Sequence, residues 1–132
     1  MSPVTIDDVE AAADRLAATD IVQRTSVERS RSLSERCGAD VRLKMEHLQR
    51  TGSFKTRGAY NAISLAIDGS GAGTDEPAVG RVVAASAGNH AQGVALAAAD
   101  AGIDATVVMP ESAPAAKIEA TRAYGAEVVL RG

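Results

Sequence analysis

Arg81-Val82-Val83-Ala84-Ala85-Ser86-Ala87-Gly88-Asn89-His90-Ala91-Gln92-Gly93 is the stretch that decides the fold. Residues 81–86 form a short apolar run with two β-branched valines, which reads as a buried strand. A tight turn at Ala87 and Gly88 leads into a helix predicted from Asn89 to Ala101. Further on, residues 105–109 read as a second strand, and residues 110–114 turn the chain into a helix ending near Gly125. Residues 127–130 read as a last strand. Strand, helix, strand, helix, strand with short connections predicts an α/β fold: a parallel three-layer sheet with flanking helices and right-handed crossovers. A doubly wound unit continues with a helix after such a strand. We therefore expect this chain to be a piece cut from a longer one.

On the amino-terminal side, Thr5 is a candidate N-cap, and Asp7 and Asp8 lie in the first turn. Ile6, Val9, Ala13, Leu16 and Ala17 repeat at helical spacing. The polar stretch from Thr19 to Glu35, rich in Ser and Arg, shows no period. Val41, Leu43 and Met45 then alternate with charged residues, as in a strand. Gly52 and Ser53 are turn and capping residues, so a helix is predicted from near Ser53 to about Ile67. Gly69-Ser70-Gly71-Ala72-Gly73-Thr74 reads as a surface loop. It echoes a glycine-rich nucleotide loop but follows a helix instead of a strand. No internal repeat is present.

Composition excludes several classes. The 132 residues are 45% hydrophobic but only 2% aromatic, so the core must be built from Ala, Val, Leu and Ile. No apolar run approaches the roughly 18–20 residues that cross a bilayer. The amino terminus lacks a basic-then-apolar signal pattern. Cys37 is the one cysteine, which rules out an internal disulfide and makes the cytoplasm the expected compartment. The net charge of −3 and the scarcity of aromatics argue against nucleic acid as a partner.

Two places carry candidate chemistry. Lys55 sits just inside a predicted helix start, where positive potential favours the neutral, nucleophilic form of an amine. A solvated surface lysine satisfies the same local pattern. The second place is the strand-to-helix junction at Ser86, Gly88, Asn89 and His90. Unpaired N–H groups at a helix start make an anion site there, and ligands of open parallel sheets favour that edge. Gly88 permits the backbone angles and the close approach that a ligand needs. The structural alternative is that Asn89 caps the helix and His90 packs on a neighbour. No cluster has metal-ligand spacing, so no metal is expected. Cys37, in a turn-like Arg36-Cys37-Gly38, reads as inert.

Taken together, these stretches resemble the threonine dehydratase (threonine ammonia-lyase) family of fold-type II pyridoxal-phosphate enzymes. The first match is Leu43-Lys44-Met45-Glu46-His47-Leu48-Gln49-Arg50-Thr51-Gly52-Ser53-Phe54-Lys55-Thr56-Arg57-Gly58-Ala59, and the second is residues 86–93. A third comprises Met109-Pro110, Ala113-Pro114, residues 117–122 and residues 124–127. The likeness runs in order along nearly the whole chain.

The resemblance implies an incomplete tryptophan-synthase-β-like architecture. Residues 1–50 would belong to the large-domain region, and residues 51–132 would begin the smaller domain that carries the cofactor lysine. Lys55 would hold pyridoxal 5′-phosphate as a Schiff base and then take the substrate's Cα proton. Phe54 would pack on the cofactor ring, and Asn89 would bond its 3′ oxygen. Ser86, Gly88, Asn89 and His90 would hold the substrate carboxylate. The expected reaction is β-elimination: L-threonine gives 2-oxobutanoate and ammonia, and L-serine gives pyruvate.

The resemblance further implies a cytoplasmic enzyme of amino-acid metabolism, with isoleucine biosynthesis as a setting and a homo-oligomer at full length. A small amino acid is its expected partner, with no membrane or nucleic acid. Serine racemases are similar but carry a serine acid/base where Ala87 stands. The family's usual Thr-Pro is Thr25-Ser26 here, which puts the rigidity of that loop in question. The family's glycine-rich phosphate loop lies downstream of the residues present. An inactive truncated fragment or a non-enzymatic remnant is therefore the competing expectation for the 132-residue chain alone.

Overall fold

The computed structural model describes residues 3–68 and 79–132. The glycine-rich stretch at 69–74 lies outside them. Helix α1 (Ile6–Ala17) opens with a capping box: the Thr5 hydroxyl accepts from the Asp8 N–H at 3.3 Å, and the Asp8 carboxylate accepts from the Thr5 N–H at 2.8 Å. The backbone bond foremost, then the hydroxyl bond, holds the Asp8 carboxyl below its ordinary range. The predicted apolar stripe of α1 is only lightly used. No residue of the helix is buried, and Leu16 is the member that packs on the core.

The polar stretch with no visible period is structured. Strand β1 (Val27–Arg29) pairs antiparallel with β2 (Arg42–Lys44), and helix α2 (Arg31–Cys37) lies between them. Both strands are three residues long and exposed throughout, and β1 buries no face that would impose an alternation on the polar stretch.

Strands β3 (Arg81–Ala85), β4 (Asp104–Met109) and β5 (Glu127–Leu130) form a parallel sheet in that order, with Val83 opposite Thr106 and Val108 opposite Val129. Helix α4 (Asn89–Asp100) packs on β3 and β4, and α5 (Ala115–Ala123) packs on β5 and α4. Helix α3 (Lys55–Asp68) lies against the outside of α4. Helix α4 is thus enclosed between the sheet and α3. Eight consecutive residues, Ala91 to Ala98, are buried. Four alanines and Gly93 among them let neighbouring elements pack closely, which is how a nearly aromatic-free chain builds a core. Val107 and Met109 from β4 fill the space beneath it.

One expectation is corrected. Strand β3 is not buried: Arg81, Val83 and Ala85 are exposed, with Val83 at 69%. Because α4 and α5 both cover the same face, the other face of the three strands stays open among the described residues.

Candidate active site

The Lys55 segment is held by short-range bonds. A turn closes where the Gly52 N–H donates to the Gln49 carbonyl at 2.7 Å, and Gly52 sits at φ +72, a conformation open to glycine. The buried hydroxyls of Thr51 and Thr56 lie 2.6 Å apart, one bonding the other. The buried Ser53 hydroxyl accepts from the Lys55 N–H at 3.4 Å, and α3 begins at Lys55. The Lys55 ammonium stands 5.0 Å from the centroid of the Phe54 ring. Phe54 is itself 57% exposed.

The three lysines differ in engagement. Lys44 donates to the Thr25 carbonyl, and Lys117 donates to Asn89 Oδ1 at 2.8 Å. Among the described residues, Lys55 Nζ has no hydrogen-bond acceptor and no carboxylate partner.

Beneath the start of α3 lies a polar network that the sequence reading did not resolve. Arg57 grips both oxygens of Glu46 at 2.8 Å, a bidentate charge-assisted pair. The buried Thr25 donates to Glu46 Oε1 at 2.6 Å, and Gln49 donates to Oε2 at 3.3 Å. Gln49 also exchanges two bonds with the Gln23 backbone. The bond from Arg57 foremost, with those from Thr25 and Gln49, holds the Glu46 carboxyl down at about 2 against the opposing effect of burial. The Thr25-Ser26 loop is therefore fixed by side-chain bonds.

The second motif leaves the end of β3. The Ser86 N–H donates to the Val108 carbonyl at 3.1 Å, and the Ser86 hydroxyl accepts from the Gly88 N–H at 3.3 Å. Gly88 is the N-cap of α4, and no side chain caps this helix. The first N–H groups of α4 are left available to an anion. Gly88 has φ −137, so glycine is not needed there for its backbone angles. Nothing lies within 4 Å of where a Cβ would stand, leaving open space above the loop. Asn89 is the first helical residue and does not cap the helix; Asn89 and His90 are both exposed.

Gly93 brings the two motifs together. A Cβ at this position would meet the Lys55 carbonyl carbon at 3.0 Å, the Lys55 oxygen at 3.1 Å and the Thr56 nitrogen at 3.2 Å. Helix α4 thus touches the backbone of the lysine itself. Asn89 lies four residues earlier, about one helical turn or 6 Å along the axis. A lone glycine inside a helical pattern was the available signal for this close approach. No sequence spacing flagged the Glu46–Arg57 pair or Lys117.

These groups suit pyridoxal phosphate by their chemistry. An amine without a carboxylate partner is free to condense with an aldehyde. An amide at the start of the helix that abuts the Lys55 backbone supplies a donor for a phenolic oxygen, and the uncapped helix start supplies N–H groups for an anion. The missing side chain at Gly93 lets α4 approach the backbone of Lys55 and Thr56. Among the described residues no cluster has the makings of a metal site.

The family described as pyridoxal-phosphate dependent enzyme matches residues 18–132. The chain is 52% identical over 130 residues to the L-threonine dehydratase catabolic TdcB of Escherichia coli K12, covering 98% of this chain and 37% of that protein. It is 50% identical over 129 residues to the L-threonine ammonia-lyase of Thermotoga maritima, covering 98% of this chain and 30% of that protein. The structure of maize serine racemase superposes with a TM-score of 0.82 at 37% identity, covering 98% of this chain and 36% of that one. The chain therefore spans about a third of the length of the relatives it matches, from 30% to 37%.

Proposed function

Because the chain belongs to the pyridoxal-phosphate dependent enzymes, we propose that it carries the cofactor-lysine segment of an L-threonine ammonia-lyase, with L-serine as a second substrate. The observation that carries this is the isolation of Lys55: the other two lysines are committed to protein oxygens, and α4 abuts the Lys55 backbone through Gly93.

Lys55 would hold the cofactor covalently, Phe54 would pack on its ring, and Asn89 would donate to its 3′ oxygen. Bound pyridoxal phosphate supplies an electron sink for the Cα carbanion. Ser86, Gly88, Asn89 and His90 orient the substrate carboxylate at the uncapped start of α4. With the cofactor bound, Lys55 Nζ would serve as the base for the substrate's Cα proton and could hand it to the departing β-hydroxyl, which would leave as water. The released enamine would tautomerise to an imine, and water would hydrolyse it to 2-oxobutanoate from threonine, or pyruvate from serine, with ammonia.

Residues 1–50 belong to the large-domain region in this proposal, and residues 51–132 begin the smaller domain. A cytoplasmic homo-oligomer completes it. The names of the relatives in Escherichia coli support a catabolic setting over isoleucine biosynthesis. Ala87 has no ionisable group with which to return a proton, which disfavours racemisation despite the likeness to serine racemase.

The test is oxo-acid release by the full-length gene product and by the 132-residue chain, with D-serine assayed in parallel. We expect oxo acid from the full-length product and no D-serine. D-serine without oxo acid overturns the assignment. Turnover by the 132-residue chain shows that the described residues suffice for activity.

A further inference from the structure

Helix α5 bonds to the loops of both motifs. Near its start, Lys117 Nζ donates to Asn89 Oδ1 at 2.8 Å. At its end, the Tyr124 hydroxyl donates to the Arg50 carbonyl at 3.0 Å, in the turn that precedes Lys55. Between these points the helix is fixed by the Lys117 N–H to Pro114 carbonyl bond at 2.9 Å and the Thr121 hydroxyl to Lys117 carbonyl bond at 2.8 Å. Thr121 is completely buried. Lys117 is half-buried, which limits the freedom of its stem.

An asparagine amide has two faces, an acceptor oxygen and a donor nitrogen, and an exposed one rotates between them. An ammonium only donates, so it selects one orientation. With Oδ1 held by Lys117, Asn89 Nδ2 is turned away from α5 as a donor. Among the described residues nothing accepts from that nitrogen. A phenolic oxygen needs this donor face; the opposite amide orientation would set oxygen against oxygen.

We propose that Lys117 is a positioning residue that locks the Asn89 amide in its donating orientation toward the cofactor's 3′ oxygen. This rests on the assignment of Asn89 given above. Lys117 acts through Asn89, so its effect vanishes when Asn89 is removed.

The test uses the full-length gene product and pyridoxal 5′-phosphate as the probe, with cofactor affinity measured by absorbance titration. The Asn89 side-chain amide resonances are followed by NMR before cofactor is added. Lys117→Met is expected to weaken affinity about tenfold, in line with the loss of a bond that orients a ligand-binding group. It should also shift the Asn89 amide resonances in the cofactor-free protein. Lys117→Arg, which keeps a donor-only cation, should restore most of the affinity. The double variant Asn89→Ala, Lys117→Met should match Asn89→Ala alone.

An unchanged affinity in Lys117→Met overturns the proposal, and so does an equal loss in the Asn89→Ala background. Unchanged affinity in Asn89→Ala overturns the assignment of Asn89 itself, and the proposal with it. Should Lys117→Met fold poorly, Lys117→Gln keeps a polar end, one bond shorter, while adding an acceptor. It must then show an intermediate loss with unchanged thermal unfolding, and a full affinity in that variant counts against the lock.

Discussion

At residue scale, the decisive contact is a missing methyl. Gly93 faces backbone atoms of Lys55 and Thr56 at 3.0 to 3.2 Å, and backbone moves aside less readily than a flexible side chain. Gly93→Ala gains about 1 kcal/mol of helix propensity. It is nevertheless expected to lose about 1–3 kcal/mol overall through overpacking. Gly58, in the neighbouring helix, has nothing within 4 Å of a built Cβ. Gly58→Ala is therefore expected to stabilise by about 0.5–1 kcal/mol. Urea unfolding of both variants checks the pair. A stabilised Gly93→Ala would mean that α4 and α3 are not in the contact described. Lys55 and Asn89 drew attention in the sequence because each sits in a long motif. Lys117 was not, since its partner lies 28 positions away and no local period links them.

At the scale of elements, the start of α3 is anchored by Glu46 and Arg57. Their side chains are 18% and 28% exposed, so solvent screens the pair only in part. The Glu46 carboxyl titrates at about 2 when folded, against an ordinary 4.5. A depressed carboxylate contributes stability that is complete above its unfolded value and is lost as pH falls toward the folded one. Urea midpoints should therefore drop between about pH 4.5 and 2. Glu46→Gln should flatten that part of the dependence while costing about 1–3 kcal/mol at pH 7. An unaltered slope in the variant would show that other carboxylates dominate acid unfolding.

The helices α3, α4 and α5 and the strands β3 to β5 were legible to within a residue or two, because apolar runs bounded by turn and capping residues mark them. Strands β1 and β2 and helix α2 differ. Only Ser34 of these three elements is buried, and Ser30 caps α2 by a local bond that leaves no apolar signature. Val41, Leu43 and Met45 still betrayed β2 by alternation, whereas β1 had nothing comparable.

At the scale of the molecule, order is concentrated in α4. Residues 91–98 are buried on every side, while α1 buries none of its residues. Amide hydrogen exchange should be slowest over 91–98 and fastest over 6–17 in the described helices. Uniform exchange across both would contradict the central role of α4. This layering also explains the site: the rigid, enclosed helix carries Asn89 at one end and meets Lys55 at Gly93. The one feature not foreseen at this scale is the open face of β3, because a run of apolar residues looks the same whether one face is covered or two.

The central claim is that Lys55, and neither Lys44 nor Lys117, is the lysine that takes pyridoxal phosphate. The most direct measurement is borohydride reduction of the full-length gene product mixed with pyridoxal 5′-phosphate, followed by peptide mass mapping. The account predicts a phosphopyridoxyl mass on the peptide carrying Lys55, and its loss in Lys55→Arg. Labelling of Lys44 or Lys117 in its place, or labelling that persists undiminished in Lys55→Arg, would contradict it.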